Sequence, residues 1–152
     1  MKIKKILCPT DFSDISINAI DWAISLASSL HARLCLLHIV DQLHSFEHYQ
    51  ILVLTPKEIA EKLETQANEE LNKIARKIKK KVKVETAVKQ GKAFLEIIKT
   101  AKEQDIDLIV IGSHGRTGLS QVLIGSVAEK VSRKAPCPVL IVRAKDKLFE
   151  MP

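Results

Sequence analysis

The chain has 152 residues, of which 46% are hydrophobic and 28% charged, and its 24 Lys and Arg against 18 Asp and Glu give a formal net charge of +6. This length suits one domain spanning residues 1–152, and the large apolar fraction excludes an intrinsically disordered chain. No stretch is apolar for long enough to span a membrane, and the lysine-rich start does not resemble a signal peptide, so we expect a cytosolic protein. The three cysteines form no CxxC pair, which agrees with a reducing compartment.

The first part of the chain predicts two buried strands joined by a helix. Ile3 to Cys8 and Leu34 to Val40 are apolar runs without period-two alternation, as is typical of strands buried on both faces of a parallel sheet. Pro9 to Phe12 is the loop after the first strand, and Ser13 is a good N-cap for the helix. The apolar residues of that helix recur at helical spacing, at Ile20, Ala23, Ile24, Ala27 and Leu30.

An irregular segment from Asp41 to Thr55 follows the second strand. Its length exceeds most connections in compact domains, which predicts either a functional cap or a mobile excursion. His44, Glu47 and His48 match an H-x-x-E-H zinc pattern. That chemistry needs a helix and a further ligand, neither of which is evident here, so we do not assign a zinc site. Thr55-Pro56-Lys57-Glu58 is a capping box with proline at the first helical position, so a helix begins there.

The second part of the chain predicts two edge strands and one central strand. Val82 to Val88 alternates apolar and polar side chains, as a strand with one wet face does, whereas Leu108 to Ile111 is apolar throughout. Val139 to Val142 lies between Pro138 and a charged tail of about residues 143–152, and the proline favours an edge position. A helix precedes the central strand, with its apolar residues at Phe94, Ile97, Ile98 and Ala101.

This alternation of strands and helices predicts an α/β fold, a single doubly wound five-stranded parallel sheet with helices on both faces. With the third and fifth strands at the edges, the simplest strand order is 3-2-1-4-5. Its switch point lies between strands one and four, and ligands of such sheets bind at the carboxyl ends of the strands beside the switch. Pro9 to Asp11 and Gly112 to Gly115 follow those two strands, so we expect them to converge on one site.

A glycine pattern follows the fourth strand and leads into a helix. Gly112, Gly115 and Gly125 lie in this loop, and glycine lets a ligand approach the backbone while the helix start offers unpaired N–H groups to a phosphate. We expect backbone N–H groups of Gly115, Gly125, Ser126 and Val127 to hold phosphates, and the Ser126 hydroxyl to bind phosphate or a metal ion. The alternative is that these glycines only form turns and a helix cap.

Three polar residues beside the predicted site have alternative roles. Asp11 can accept from ribose hydroxyls or hold Mg²⁺, or it can be a helix N-terminal carboxylate near Ser13. Arg116 either reaches phosphate or is a solvated loop arginine. His114 is interpreted as a polar turn residue rather than a base. Because no Walker A sequence is present, efficient hydrolysis of a bound nucleotide is not expected.

Four stretches resemble the universal stress protein family. They are Ile6 to Ser13, Gly112 to Leu119, Gly125 to Val131 and Ala135 to Leu140. The likeness spans essentially the whole chain and is weakest between Asp41 and Thr55.

The resemblance implies that the chain binds ATP. Family members that bind ATP contact it at the positions that match Thr10, Asp11, Val40 (through its backbone), Gly112, Gly115, Gly125 and Ser126. Ile111 and Val127 complete the pocket by the same analogy. The resemblance also implies a homodimer paired through the last strand, Val139 to Val142. We expect a stress-response module that signals through nucleotide occupancy to an unidentified protein partner, with at most slow ATP hydrolysis. The alternatives are a nucleotide-free interaction protein of the same family and a true ATP-hydrolysing enzyme.

Seven basic residues are concentrated between Lys73 and Lys83. They end a predicted helix, where cations complement the helix dipole, and no aromatic residues are interleaved with them. We therefore interpret the cluster as a solvated face and do not expect a nucleic-acid partner, although an RNA or DNA contact is the alternative.

Overall fold

The structure is a computed structural model that describes residues 2–41, 55–114 and 124–143. It contains a five-stranded sheet whose strand pairs are all parallel. The elements in chain order are β1 (Lys5–Pro9), α1 (Asp14–Leu30), β2 (Arg33–Val40), α2 (Pro56–Ile78), β3 (Val84–Gln90), α3 (Ala93–Glu103), β4 (Leu108–Gly112), α4 (Ser126–Lys134) and β5 (Val139–Val142).

The strand order is β3-β2-β1-β4-β5, which confirms the predicted fold class and the predicted switch between the first and fourth strands. Both predicted edge strands are at the edges. β3 begins two residues later than the sequence pattern indicates. The reason is that the Val82 N–H donates to the Ile78 carbonyl at 3.1 Å, so Val82 belongs to the turn that closes α2.

The two faces of the sheet are covered by different helices. On one face α1 and α2 pack against the alternate strand residues that include Ile6, Leu34 and Val110. On the other face α3 and α4 pack against residues that include Leu7 and Ile109. Because successive strand residues point to opposite faces, the covered part of a strand must be apolar on both sides, as β1 is from Ile6 onward and β4 is throughout.

Helix starts follow the predicted capping residues. The Ser13 side chain accepts from the Ser16 N–H at the start of α1. At the start of α2, the Thr55 side chain accepts from the Glu58 N–H while the Glu58 carboxylate accepts from the Thr55 N–H at 2.7 Å, which confirms the capping box. α1 ends at His31, an exposed residue in the left-handed region with φ of 54°.

Several predicted features lie outside the described residues. They include nearly all of the irregular segment with its H-x-x-E-H pattern, the glycine loop over 115–123 and the tail over 144–152. Within the described ranges, no group of three or more His, Cys, Asp or Glu residues is arranged to hold a metal ion. None of the helices in these ranges combines the length and apolar character needed to cross a membrane.

Candidate functional site

The candidate site lies at the carboxyl ends of the strands, where β1 and β4 end side by side. The ladder between these strands pairs Ile6 with Leu108 and Leu7 with Ile109, and it extends no further toward that edge among the described residues. The two strand ends therefore separate beyond these pairs, which is the crevice that a switch point creates. α1 follows β1 and α4 follows β4, so the amino-terminal ends of both helices lie at the same carboxyl end of the strands.

The loop after β1 is fixed mainly by Thr10. This residue is 5% exposed, and its N–H donates to the Leu37 carbonyl at 2.9 Å. Its hydroxyl accepts from the Phe12 N–H at 3.0 Å and shares a hydrogen bond with the Ser16 hydroxyl at 2.9 Å. The Thr10 side chain is thus turned into the protein, where it holds the loop against β2 and α1.

Asp11 forms the helix-capping arrangement that the sequence offered as one alternative. Its Oδ1 accepts from the Ser13 N–H at 3.1 Å and from the Ser13 hydroxyl at 2.6 Å. The Ser13 hydroxyl in turn accepts from the Ser16 N–H at 3.3 Å. The carboxylate therefore stands at the positive end of α1, half-buried at the carboxyl edge of the sheet.

Phe12 has a left-handed backbone, with φ of 64°, which is uncommon for a residue with a bulky side chain. Two contacts hold it there: its N–H bond to Thr10 and a stack of its ring on His38, with ring centroids 4.6 Å apart. His38 also places Nδ1 2.8 Å from the Thr10 carbonyl oxygen. A non-glycine residue held in this region beside a crevice is the kind of strain that accompanies binding sites.

Ser113, the residue after β4, forms backbone hydrogen bonds to the last residue of β5 and to the N-cap of α4. The Ser113 N–H donates to the Val142 carbonyl at 2.7 Å, and the Ser113 carbonyl accepts from the Gly125 N–H at 2.6 Å. This second bond corrects one expectation: the Gly125 N–H is already used within the protein and does not point to a phosphate. A Cβ on Gly125 would lie 3.1 Å from the Ser113 oxygen, so glycine permits this close approach.

Gly112 has a packing role in this structure. A Cβ at this position would lie 3.0 Å from Cγ2 of Ile15 and 3.3 Å from the Ile15 backbone carbonyl. The missing side chain therefore lets the first turn of α1 rest directly on the end of β4. This contact sets the distance between the two halves of the crevice.

The start of α4 directs backbone N–H groups toward the crevice. Gly125 is the N-cap with φ of −69° and ψ of 156°, and among the described residues no side chain caps the helix. The first N–H bonded within the helix is that of Glu129, to the Gly125 carbonyl at 2.9 Å. The N–H groups of Ser126, Val127 and Ala128 therefore have no intrahelical partner. They form a short row of donors at the positive end of the α4 dipole.

The other predicted residues are placed as follows. Val40 ends β2, is buried, and its carbonyl accepts from the Gly91 N–H at 3.1 Å. Ile111 is buried in the core beneath α3 and α4, and Val127 packs at the margin of that core. Gly115 and Arg116 lie outside the described residues, so their predicted contacts with phosphate stay predictions.

Sequence reasoning missed two histidines at this edge. His38 was predicted only as a strand residue, and His114, whose Nδ1 lies 3.0 Å from the Ser113 hydroxyl, only as a polar turn residue. A polar ring near the carboxyl end of an otherwise apolar strand was the available signal for His38. Its contact with Thr10 depends on the register of β1 and β2, which cannot be read from the sequence.

The cysteines do not contribute a reactive group. Cys8 and Cys35 are buried and Cys137 is partly buried. Burial raises the pKa of the Cys8 thiol well above its usual range and raises the pKa of Cys35 to about 11. Burial also raises the pKa of Cys137. Thiols with raised pKa values stay protonated near neutrality and are poor nucleophiles.

Comparison with known proteins gives consistent matches over nearly the full chain. Residues 2–143 match the profile described as the universal stress protein family. Universal stress protein MJ0531 of Methanocaldococcus jannaschii is 37% identical over an alignment 150 residues long, which covers 95% of this chain and 84% of that protein. Universal stress protein MJ0577 of the same organism is 31% identical over an alignment 156 residues long with gaps, which covers 94% of this chain and 96% of that protein.

Two solved structures extend the comparison to the fold. The structure of MJ0577 aligns with a TM-score of 0.82 at 30% identity and covers 97% of this chain and 100% of its own. A structure described as a universal stress protein in complex with cAMP aligns with a TM-score of 0.64 at 25% identity, covering 94% of this chain and 98% of its own. These similarities cover both strand ends and both helix starts that form the crevice.

Proposed function

This chain belongs to the universal stress protein family, and from that membership and the geometry of the crevice we propose that it binds an adenine nucleotide and acts in the stress response through nucleotide occupancy. The phosphates lie against the start of α4, and the nucleoside lies between the ends of β1, β2 and β4. ATP is the preferred ligand. The similar protein whose structure is described as a cAMP complex supports the choice of an adenine nucleotide.

The observation that carries this proposal is the row of backbone donors at the start of α4. Three consecutive N–H groups, from Ser126 to Ala128, have no intrahelical partner, and no side chain of residues 2–41, 55–114 or 124–143 caps them. Such a row at the positive end of a helix dipole favours a phosphate group. It stands at the switch point of the sheet, where ligands of this fold class bind.

The proposed roles of individual residues follow from their placement. The exposed Ser126 hydroxyl binds a phosphate or a Mg²⁺ ion held between phosphates. Asp11 interacts with the ribose or the ion in addition to its capping bonds with Ser13. Gly115 and Arg116 contact phosphates from the loop. ATP turnover is slow at most, because the sequence contains no Walker A motif.

The proposed assembly is a cytoplasmic homodimer that pairs through β5. This strand is an edge of the sheet, and Leu140 on it is 36% exposed. Unpaired edge strands with apolar side chains favour pairing with another chain. Trp22, which is 53% exposed, lies one helical turn from Asn18, whose side chain donates to the Arg143 carbonyl just beyond β5. A partner docked on this edge also covers that part of α1.

The experiment that tests the proposed site compares two substitutions of one residue. Ser126→Ala removes only the hydroxyl, whereas Ser126→Pro also removes the first N–H of α4. Proline is favoured at the first helical position, and the extended Gly125 backbone accommodates it. The matched pair therefore separates the backbone donor from the side chain without disturbing the helix.

Calorimetric titration with ATP, ADP, AMP and cAMP in the presence of Mg²⁺ gives the result. We expect saturable binding by the wild type and a weakening of about 10- to 100-fold in Ser126→Pro, because a hydrogen bond to a charged group contributes about 1.5–3 kcal/mol. Ser126→Ala loses only the hydroxyl contact and keeps the N–H, so it binds more tightly than Ser126→Pro. Equal binding by Ser126→Pro and the wild type contradicts the site, and the absence of binding by the wild type contradicts the proposed function.

A further inference from the structure

Basic residues from three separate parts of the chain lie at the amino-terminal ends of the strands, opposite the candidate nucleotide site. They come from the start of β1, the start of β2, and the turn that joins α2 to β3. We call this set the basic edge, and it consists of Lys2, Lys4, Lys5, Arg33, Lys79, Lys80, Lys81 and Lys83.

Backbone hydrogen bonds fix the order of these residues across three adjacent strands. The Arg33 N–H donates to the Lys4 carbonyl at 2.8 Å, and the Leu34 N–H donates to the Lys83 carbonyl at 2.9 Å. Lys5 and Arg33 are partners in the register of β1 and β2. Since neighbouring strands lie about 4.8 Å apart, the backbone positions of Lys5, Arg33 and Lys83 form a closely spaced row.

Few acidic groups offset this charge. The basic edge holds eight of the 24 basic residues, and the acidic residues on the same strand ends and turns are Glu85, Asp105 and Asp107. Glu85 pairs with Arg33 at 3.7 Å. The Asp107 carboxylate accepts from the backbone N–H groups of Lys4 and Lys5, at 2.7 and 2.9 Å, rather than from their ammonium groups.

The lysines of the turn before β3 are directed to solvent. Lys79, Lys80, Lys81 and Lys83 are exposed, and none forms an ion pair within the described part of the chain. The dipole of α2 explains cations in its last turn, but Lys83 lies on a strand entry, as do the cations of β1 and β2. Like charges held this closely repel one another, so the arrangement favours an anionic partner.

We propose that the basic edge binds the phosphate backbone of duplex nucleic acid without reading its sequence. A duplex carries about one negative charge per 1.7 Å of its axis, which suits a rigid row of cations. The stretches that carry the basic edge, residues 2–5, 31–33 and 79–83, contain no Phe, Tyr or Trp on which unpaired bases would stack, and this disfavours single strands. The surface lies at the other end of the strands from the start of α4, so this binding does not depend on the proposed nucleotide site.

The test measures binding of a short fluorescent duplex of random sequence by anisotropy, with a poly(dT) single strand and phosphatidylserine vesicles as parallel probes. With about five phosphate contacts, duplex affinity falls about 500-fold between about 50 and 200 mM salt. We expect the duplex to bind more tightly than the single strand or the vesicles. Tighter binding of vesicles or of the single strand contradicts the proposal, and so does the absence of duplex binding at low salt.

A matched pair of triple variants assigns the surface. Lys80→Gln/Lys81→Gln/Lys83→Gln removes three charges from the basic edge, whereas Lys57→Gln/Lys62→Gln/Lys99→Gln removes three exposed charges from α2 and α3. The first variant retains about two contacts, so its affinity falls only about 12-fold over the same salt range. The second variant binds as the wild type does. Equal loss in both variants shows a general charge effect and overturns the assignment; circular dichroism checks that both fold.

Discussion

The imidazole of His38 stacks on the ring of Phe12, with centroids 4.6 Å apart and ring planes inclined by 26°. The same imidazole has Nδ1 2.8 Å from the Thr10 carbonyl oxygen. Because a carbonyl can only accept, Nδ1 carries the hydrogen in this contact. One side chain of β2 therefore holds two residues of the loop after β1.

Replacing His38 should loosen this loop, and the loss of stability should depend on whether the new side chain can donate a hydrogen bond to the Thr10 carbonyl. His38→Leu leaves the buried Thr10 carbonyl without this donor, which costs about 1–3 kcal/mol of unfolding free energy. His38→Asn places an amide nitrogen near the former Nδ1 and should restore part of that loss. Urea unfolding measures both variants, and equal destabilisation by Leu and Asn would show that the hydrogen bond does not contribute. Nucleotide affinity, measured on the folded variants, should fall in the same order.

Adding a methyl group to Gly112 should separate α1 from β4. The new Cβ of Gly112→Ala lies 3.0 Å from Cγ2 of Ile15, and overpacking of this kind costs about 1–3 kcal/mol. Ile15→Ala removes that Cγ2, so the double variant should be more stable than the sum of the single changes predicts. A double-mutant cycle by urea unfolding measures the coupling. Strict additivity would show that the contact with Ile15 Cγ2 is not the cause and would leave the backbone of Ile15, 3.3 Å away, as the obstacle.

Asp107 should contribute an acid-sensitive part of the stability. Its carboxylate accepts from the backbone N–H groups of Lys4 and Lys5. The bond from Lys4 is the main reason why the pKa of Asp107 lies below the ordinary value of an aspartate. A lowered folded-state pKa gives stabilisation that is present above the unfolded value and lost as pH falls through the folded value. Asp107→Asn should therefore destabilise the protein near neutrality, with a difference from the wild type that shrinks as pH falls below about 4.

The measurement is urea unfolding of both proteins at several pH values, with Asp21→Asn as the control. The Asp21 side chain is exposed on α1 and forms no hydrogen bond to a backbone N–H among the described residues. A constant difference between Asp107→Asn and the wild type at every pH would contradict the assigned cause.

A charge on β5 should dissociate the proposed dimer. Leu140→Glu places a carboxylate on an edge strand that we propose to be covered by a second copy, where an unpaired charge is costly. Size-exclusion chromatography with light scattering should show a monomer for this variant and a dimer for the wild type. Trp22 emission should shift to longer wavelength on dissociation. Leu95→Glu, at a 48% exposed position on α3, is the control and should stay dimeric.

The fold was predictable because its main determinants are local. Apolar runs without alternation marked β1, β2 and β4 as central strands, and alternation in β3 and proline before β5 marked the edges. The capping residues Ser13 and Thr55 could also be predicted from the sequence, since a cap involves residues only three positions apart. Parallel strands need crossovers of fixed hand, so few topologies remained once the elements were known.

The sequence by itself determined the family, the strand order and the two segments that form the crevice. Tertiary structure decided which groups in that crevice are already used: the Gly125 N–H bonds to Ser113, Gly112 accommodates Ile15, and His38 supports Thr10. It also decided that the lysines after α2 lie beside those of β1 and the arginine of β2. These relationships join residues far apart in the chain, and their distances depend on strand register and helix packing, which no local pattern of side chains encodes.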